Sequence, residues 1–253
     1  MSVAIVIPAQ LDSKRFPNKP FTMIDGKLMI DRVIHNCLLV ERADSVYVAT
    51  PDIKIKEHVM NLWGELNVRT IITSTNNTTG NEAVAEAALQ LDEEIIVNVQ
   101  GDEPILEPSV IEYAIGSFMD IKHLYQLLNC YTATPDDMYF RTSKCIHTLV
   151  NKHNELIYMS RSPLPYNKNN VYVSPLKQVC VYVFKKAALI HLFRECKKGY
   201  IEKSEDICML RAIENGYKVY MLPVSTNTHG VDTPEDVAIV ESRIRGKDDI
   251  SIT

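Results

Sequence analysis

Four short β-rich runs, separated by stretches with helical spacing, set the fold class of this chain. They occupy 3–7 (VAIVI), 45–50 (SVYVAT), 68–73 (VRTIIT) and 94–99 (EIIVNV). The first is continuously apolar and the last nearly so, which is how a strand reads when both its faces are covered in a parallel sheet. Between the runs, 28–40, 53–66 and 82–91 carry apolar residues at helical spacing. Gly80 and Asn81 stand before the third as a loop and helix-start signal. Strand–helix alternation of this kind predicts an α/β fold, a mostly parallel open sheet with helices on both faces.

The second half changes character. Runs at 124–132, 144–150 and 155–159 read as strands, and the polar turn Asn151-Lys152-His153-Asn154 joins the last two. This is the pattern of an antiparallel hairpin, a flap or dimerisation element inserted at about 120–185 in a single domain spanning 1–253. Pro163, Pro165 and the Asn-rich 167–170 mark a loop. A strand at 178–184, helical stretches at 187–196 and 206–215, a late strand at 218–223 and a helix at 236–245 complete the chain.

A chain of 253 residues can bury a full core. Its net charge of −5 argues against broad nucleic-acid binding while leaving room for a local basic pocket. No apolar run approaches the roughly 20 residues that span a bilayer. The N-terminus enters a strand directly, without a leader pattern, so the expectation is a cytoplasmic protein without membrane insertion. Six cysteines without a CxxC pair, and seven histidines without HxxxH spacing, argue against zinc and for reduced thiols.

Three loops follow strands and so converge at one sheet edge, where open α/β sheets bind ligands. The first, SKRFPNKP from Ser13 to Pro20, places Lys14, Arg15 and Lys19 in a proline-stiffened loop that suits a polyanion or, alternatively, simply faces solvent. The second, NVQGDEP, sets Asp102 beside a glycine: a candidate Mg²⁺ ligand or a turn-capping acid. The third, HGVDTPED, reads as a helix start with a cap and Pro234 in the first turn, and Asp232 is a candidate second ligand. Two acids beside a basic loop suggest in-line phosphoryl chemistry, in which Mg²⁺ offsets phosphate charge while Arg15 and Lys19 stabilise leaving pyrophosphate. Walker A and GxGxxG patterns are absent, which disfavours a P-loop kinase and a Rossmann dehydrogenase.

IPAQLDSKRFPNKP, TTGNEAVAEA, NVQGDEP, YMSRSPLPY, LRAIENG and GVDTPED follow one another in an order and spacing that resembles CMP-Kdo synthetases, the 3-deoxy-manno-octulosonate cytidylyltransferases. The resemblance spans nearly the whole chain and implies a nucleotide-diphospho-sugar transferase-like fold. It implies CTP as co-substrate, Mg²⁺, a homodimer, and CMP transfer to a small acidic acceptor with release of pyrophosphate, a step of surface-glycan biosynthesis. Carried over by position, Ala9, Gln10, Ser13, Arg15, Lys19, Gly80 and Gln100 would hold the nucleotide. Arg15, Lys19 and Asp102 would be catalytic, and Asp102 and Asp232 would bind Mg²⁺. Arg161, Gln178, Tyr182, Cys208 and Met209 would face the acceptor.

The chain also departs from that pattern. Gln10 stands where the resembled IPAR has arginine, and Ala83 where SGT[DE]R ends in one. Gln178 replaces a histidine, and Ile207-Cys208-Met209-Leu210-Arg211 replaces LEQLR. Loss of acceptor-side polar groups leaves sugar hydroxyls without partners, which points to an altered acceptor: a Kdo-like acid or a smaller anion such as a phosphonate. Two lost cations keep open a third expectation, a catalytically weakened nucleotide-binding homologue.

Overall fold

The computed structural model describes residues 1–133, 142–166, 168–169 and 176–248. Strand β1 (Val3–Pro8) has alternate side chains in different cores, as the apolar run requires. Val3, Ile5 and Ile7 pack with helices α1 (Met29–Leu38), α2 (Ile53–Trp63) and α4 (Pro108–Ile121) on one face. Ala4 and Val6 belong to the opposite core, with α3 (Gly80–Ala88) and α5 (Lys186–Ile190). Helices therefore cover both faces.

The remaining strands are β2 (Met23–Ile24), β3 (Lys27–Leu28), β4 (Ser45–Thr50), β5 (Val68–Ile72), β6 (Ile95–Val99), β7 (Leu127–Ala133), β8 (His147–Val150), β9 (Leu156–Ser160), β10 (Leu176–Lys185) and β11 (Val219–Pro223). The main sheet runs β11-β7-β10-β6-β1-β4-β5. Strands β6, β1, β4 and β5 pair in parallel, as do β11 and β7. Only β10 reverses this path, pairing antiparallel with both β6 and β7. The expected hairpin is β8–β9, with Asn154 at φ +56° in its turn, attached to β10 through the pair Lys177–His147. Part of the inserted stretch, 134–141, and part of the Asn-rich loop lie outside the described residues.

Several elements differ from expectation. Helix α4 had no counterpart, although Pro108 occupies its first turn as helix-starting prolines do. The β2–β3 hairpin, turning through Asp25 (φ +45°) and Gly26 (φ +78°), was also unforeseen. The helix expected at 206–215 begins later, as α7 (Leu210–Glu214), and is preceded by an unforeseen helix, α6 (Tyr200–Glu205), which ends where Asp206 adopts a left-handed conformation. The helix expected at 187–196 is α5 followed by a π-turn, His191–Glu195. Helix α8 (Pro234–Asp248) packs Val240 against Ile24, Met29, Ile105 and Val231 in a third, smaller core. That core brings the chain's last helix back to the edge where β1 ends.

Candidate active site

The loop after β1 is held from below by backbone bonds before any ligand is considered. Ala9 N donates to Ala49 O at 3.0 Å, and Leu11 N donates to Asp52 Oδ2 at 2.8 Å. Asn18, at φ +57°, leads into a short 3₁₀ turn, Lys19–Phe21, which fixes where Lys19 emerges. Lys19 Nζ lies 2.7 Å from Asp102 Oδ2, and Arg15 Nη2 lies 2.9 Å from Asp232 Oδ1. The three loops thus meet in two ion pairs. Burial disfavours the Lys19 charge, but Asp102 outweighs that effect with help from Asp232, and the ammonium is held above its usual range.

Two adjoining clefts open here. The first is lined by Ala9, Gln10, Ser13, Lys19, Gly80, Ala83, Gln100 and Asp102, among others. The second is lined by Arg15, Arg161, Gln178, Tyr182, Cys208 and Asp232, and shares Gly80, Gln100 and Asp102 with the first. Gly101 lets the Asp102 loop press against β1: a Cβ there would meet Pro8 O at 2.6 Å.

Most of the residues named from sequence line one cleft or the other, with particular differences. Arg15 borders the second cleft rather than the first. Gln10 folds onto its own loop, donating to Asp12 O at 3.1 Å. Met209 is fully buried in the core and lines neither cleft, since the chain before α7 turns it inward. Arg161 faces the second cleft, but its guanidinium donates to the carbonyls of Ser143, Glu205 and Asp206, so it braces the wall. Cys208 accepts from Asn81 Nδ2, and burial raises its thiol to about 11.

Lys144, Lys177 and Glu103 also line the second cleft and were not singled out from sequence. Glu103 sat inside NVQGDEP next to Asp102, and Lys177 beside Gln178, so adjacency was the available signal. Burial pushes the Glu103 carboxyl up against the opposing pull of Lys177, while Thr228 Oγ1 donates to it at 2.6 Å.

The start of α8 separates two roles that the sequence left merged. Asp236 Oδ2 accepts from Asp232 N at 2.9 Å and Thr233 N at 2.8 Å, the reciprocal cap of a helix start. Lys144 Nζ lies 2.9 Å from Asp236 Oδ1. Burial opposes ionisation of Asp236, yet Lys144 and the two backbone donors outweigh it and hold the carboxyl well below the usual range. Asp236 is the capping acid, and Asp232 reaches the cleft.

Among the described residues no group of three or more His, Cys, Asp or Glu converges as a metal cage. Asp102 stands where the clefts meet and Asp232 lines the second, two carboxylates whose chemistry suits Mg²⁺ when phosphate oxygens complete its shell.

The cytidylyltransferase family profile matches residues 4–220. The chain is 32% identical over 255 residues to the 3-deoxy-manno-octulosonate cytidylyltransferase of Syntrophotalea carbinolica, covering 97% of this chain and all of that one. It is 29% identical over 247 residues to the 8-amino-3,8-dideoxy-manno-octulosonate cytidylyltransferase of Shewanella pealeana, covering 96% and 99% of the two chains. The structure of CMP:2-keto-3-deoxy-manno-octonic acid synthetase complexed with CTP superposes with a TM-score of 0.87 at 27% identity, over 98% of this chain and all of that one.

Proposed function

The chain belongs to the cytidylyltransferase family, and from that premise we propose that it transfers CMP from CTP to a 3-deoxy-octulosonate-type acid sugar, releasing pyrophosphate. The observation that carries this reading is the meeting of Arg15, Lys19, Asp102 and Asp232 where two clefts share Gly80, Gln100 and Asp102. One cleft takes the nucleotide and the other the sugar, so that an acceptor oxygen faces the α-phosphorus. The new P–O bond forms as the bond to the β-phosphate breaks, and its electron pair leaves with pyrophosphate.

Ala9, Gln10, Ser13 and Gly80 shape the nucleotide cleft, and Gln100 stands at its border with the acceptor. Lys19, released from Asp102, and Arg15, released from Asp232, supply the charge that stabilises the departing pyrophosphate. Asp102 and Asp232 would hold Mg²⁺, which when bound neutralises phosphate charge and lowers the pKa of the acceptor hydroxyl. Gln178, Tyr182 and Cys208 form the acceptor wall, with Arg161 fixing its shape. Among the described residues no helix is long and apolar enough to cross a membrane. Use of CTP would suit a cytoplasmic protein, and the β8–β9 hairpin, with Ile157 exposed, would serve a homodimer.

Pyrophosphate release from CTP and Mg²⁺ against 3-deoxy-manno-octulosonate, its 8-amino analogue, sialic-type acids and small phosphonates tests the reading. Turnover of an octulosonate supports it. Turnover of another acid alone would mean that Gln178 and Cys208 mark a changed acceptor. CTP binding without release from any acid would favour a weakened homologue, in line with uncharged Gln10 and Ala83 in the nucleotide cleft.

A further inference from the structure

Asn98, Tyr182 and Asn129 form a row across three adjacent strands, because Tyr182 of β10 is the register partner of Asn98 on β6 and of Asn129 on β7. Both asparagines are fully buried, so each carboxamide must place its donors and its acceptor within the protein. The β10 register shifts between Val179 and Tyr182, and such a bulge takes backbone carbonyls out of the ladder. Asn129 Nδ2 satisfies two of them, donating to Val179 O at 3.0 Å and Val181 O at 2.7 Å. With both N–H groups committed, Asn129 Oδ1 is left to accept, and it takes Gln178 Nε2 at 2.7 Å.

Gln178 is therefore locked in one sense. Its Oε1 is buried and has no hydrogen-bond partner among the described residues, and the side chain lines the acceptor cleft. Gln100 is tied in the same sense. Its Nε2 donates to Asn98 Oδ1 at 3.0 Å, and Asn98 Nδ2 donates onward to Asn81 Oδ1 at 2.6 Å.

We propose that Asn129, with Asn98 beside it, is a positioning residue that fixes Gln178 and Gln100 as hydrogen-bond acceptors, so that the cleft recognises its acceptor substrate by O–H or N–H donors. This rests on the cytidylyltransferase reading above and names the substrate chemistry of the same site. A wall of two amide carbonyls suits a polyhydroxylated or amino sugar acid, since a hydroxyl and an amine both donate. It leaves an analogue lacking the matching donor unpaired, which is the strong form of discrimination.

Two variants separate this role from a structural one. Gln178→Met keeps the length and removes both polar ends, whereas Gln178→His keeps one ring nitrogen to donate to Asn129 and one to accept from substrate. The readouts are pyrophosphate release with 3-deoxy-manno-octulosonate and its single-deoxy analogues, and calorimetric CTP binding. Gln178→Met should raise KM for the acid about tenfold while CTP affinity stays within about twofold, the scale of one lost hydrogen bond. One deoxy analogue should no longer be discriminated, and Gln178→His should restore most of the loss. Acceptor KM and CTP affinity moving together with every analogue ranked as before, or a histidine variant as poor as the methionine one, would overturn the proposal. Deuterium exchange of the Gln178 side-chain amide, followed by NMR in the free protein, checks the positioning without turnover: protection is expected, and exchange at the free-amide rate would refute it. A wild-type protein with a protected amide that turns over no acid would instead refute the proposed function, and calorimetric binding of the same acids would then decide the donor preference.

Discussion

Gly80 shows how a single missing methyl shapes the site. A Cβ there would come within 2.9 Å of Gln100 Oε1 and 3.0 Å of Pro8 Cγ, and Gln100 cannot swing away freely while its Nε2 is tied to Asn98. Gly80→Ala should weaken CTP binding about tenfold, one hydrogen bond's worth, by calorimetry. The same clash should also lower the melting temperature, because strain against Pro8 and the tied Gln100 opposes the better helix propensity of alanine at the start of α3. Asp232 and Asp236 make the converse pair. The sequence offered a helix cap and a metal ligand in one short segment, and nothing in GVDTPED says which acid turns inward. Only the fold, which sets Lys144 against Asp236, divides the roles. Asp236→Asn should therefore act on stability. The folded carboxyl titrates below its unfolded value of about 3.9, so its contribution is present above that pH and is lost as pH falls beneath it. Urea midpoints measured from pH 6 to pH 2 should fall less steeply in the variant than in wild type.

At the scale of elements, the parallel half of the sheet was readable because its strands are buried on both faces and so appear as apolar runs. Helix α4 went unread although Val110, Ile111, Ala114, Ile115 and Phe118 stand at helical spacing on its buried side. The start of the helix expected at 206–215 was misplaced for another reason: Asp206 is the left-handed residue that ends α6, and what holds α6 and α7 together is tertiary. Arg211 is that tertiary element. It is 2% exposed, makes contacts of 2.7 Å to both Glu202 oxygens and 2.8 Å to Glu82, and its guanidinium lies 4.9 Å from the Phe193 ring centre. Glu82 in turn accepts from Thr78, on the rim of the nucleotide cleft. Arg211→Met strands two carboxylates in a low-dielectric site, a change that typically costs about 3–5 kcal/mol. Urea unfolding should show a loss of that order, and Glu202→Gln in the same background should recover part of it.

Across the whole molecule, the sequence located the charges of the site but not their pairing. Lys19 and Asp102 lie 83 residues apart, and Arg15 and Asp232 are separated by 217, so no local pattern couples them. The pairing has an electrostatic consequence. The chain carries a net charge of −5, and Lys19 and Arg15 are each matched by a carboxylate, so in the free site neither of these two cations is unpaired. A triphosphate that takes Lys19 and Arg15 for itself leaves Asp102 and Asp232 unpaired beside its own negative oxygens. One such unit-charge contact at 4 Å costs about 1 kcal/mol in water and about 4 kcal/mol near a protein surface. CTP affinity should accordingly fall at least about tenfold when EDTA replaces Mg²⁺, since roughly 1.4 kcal/mol suffices for that factor. Asp102→Asn combined with Asp232→Asn removes the repulsion and should restore most of the affinity in EDTA while abolishing pyrophosphate release with Mg²⁺. Circular dichroism should show an intact fold in that variant, because neither acid caps α8. Equal CTP affinity of the wild-type protein with and without Mg²⁺, measured by calorimetry, would take both acids out of the metal site and leave the ion pairs as structure alone.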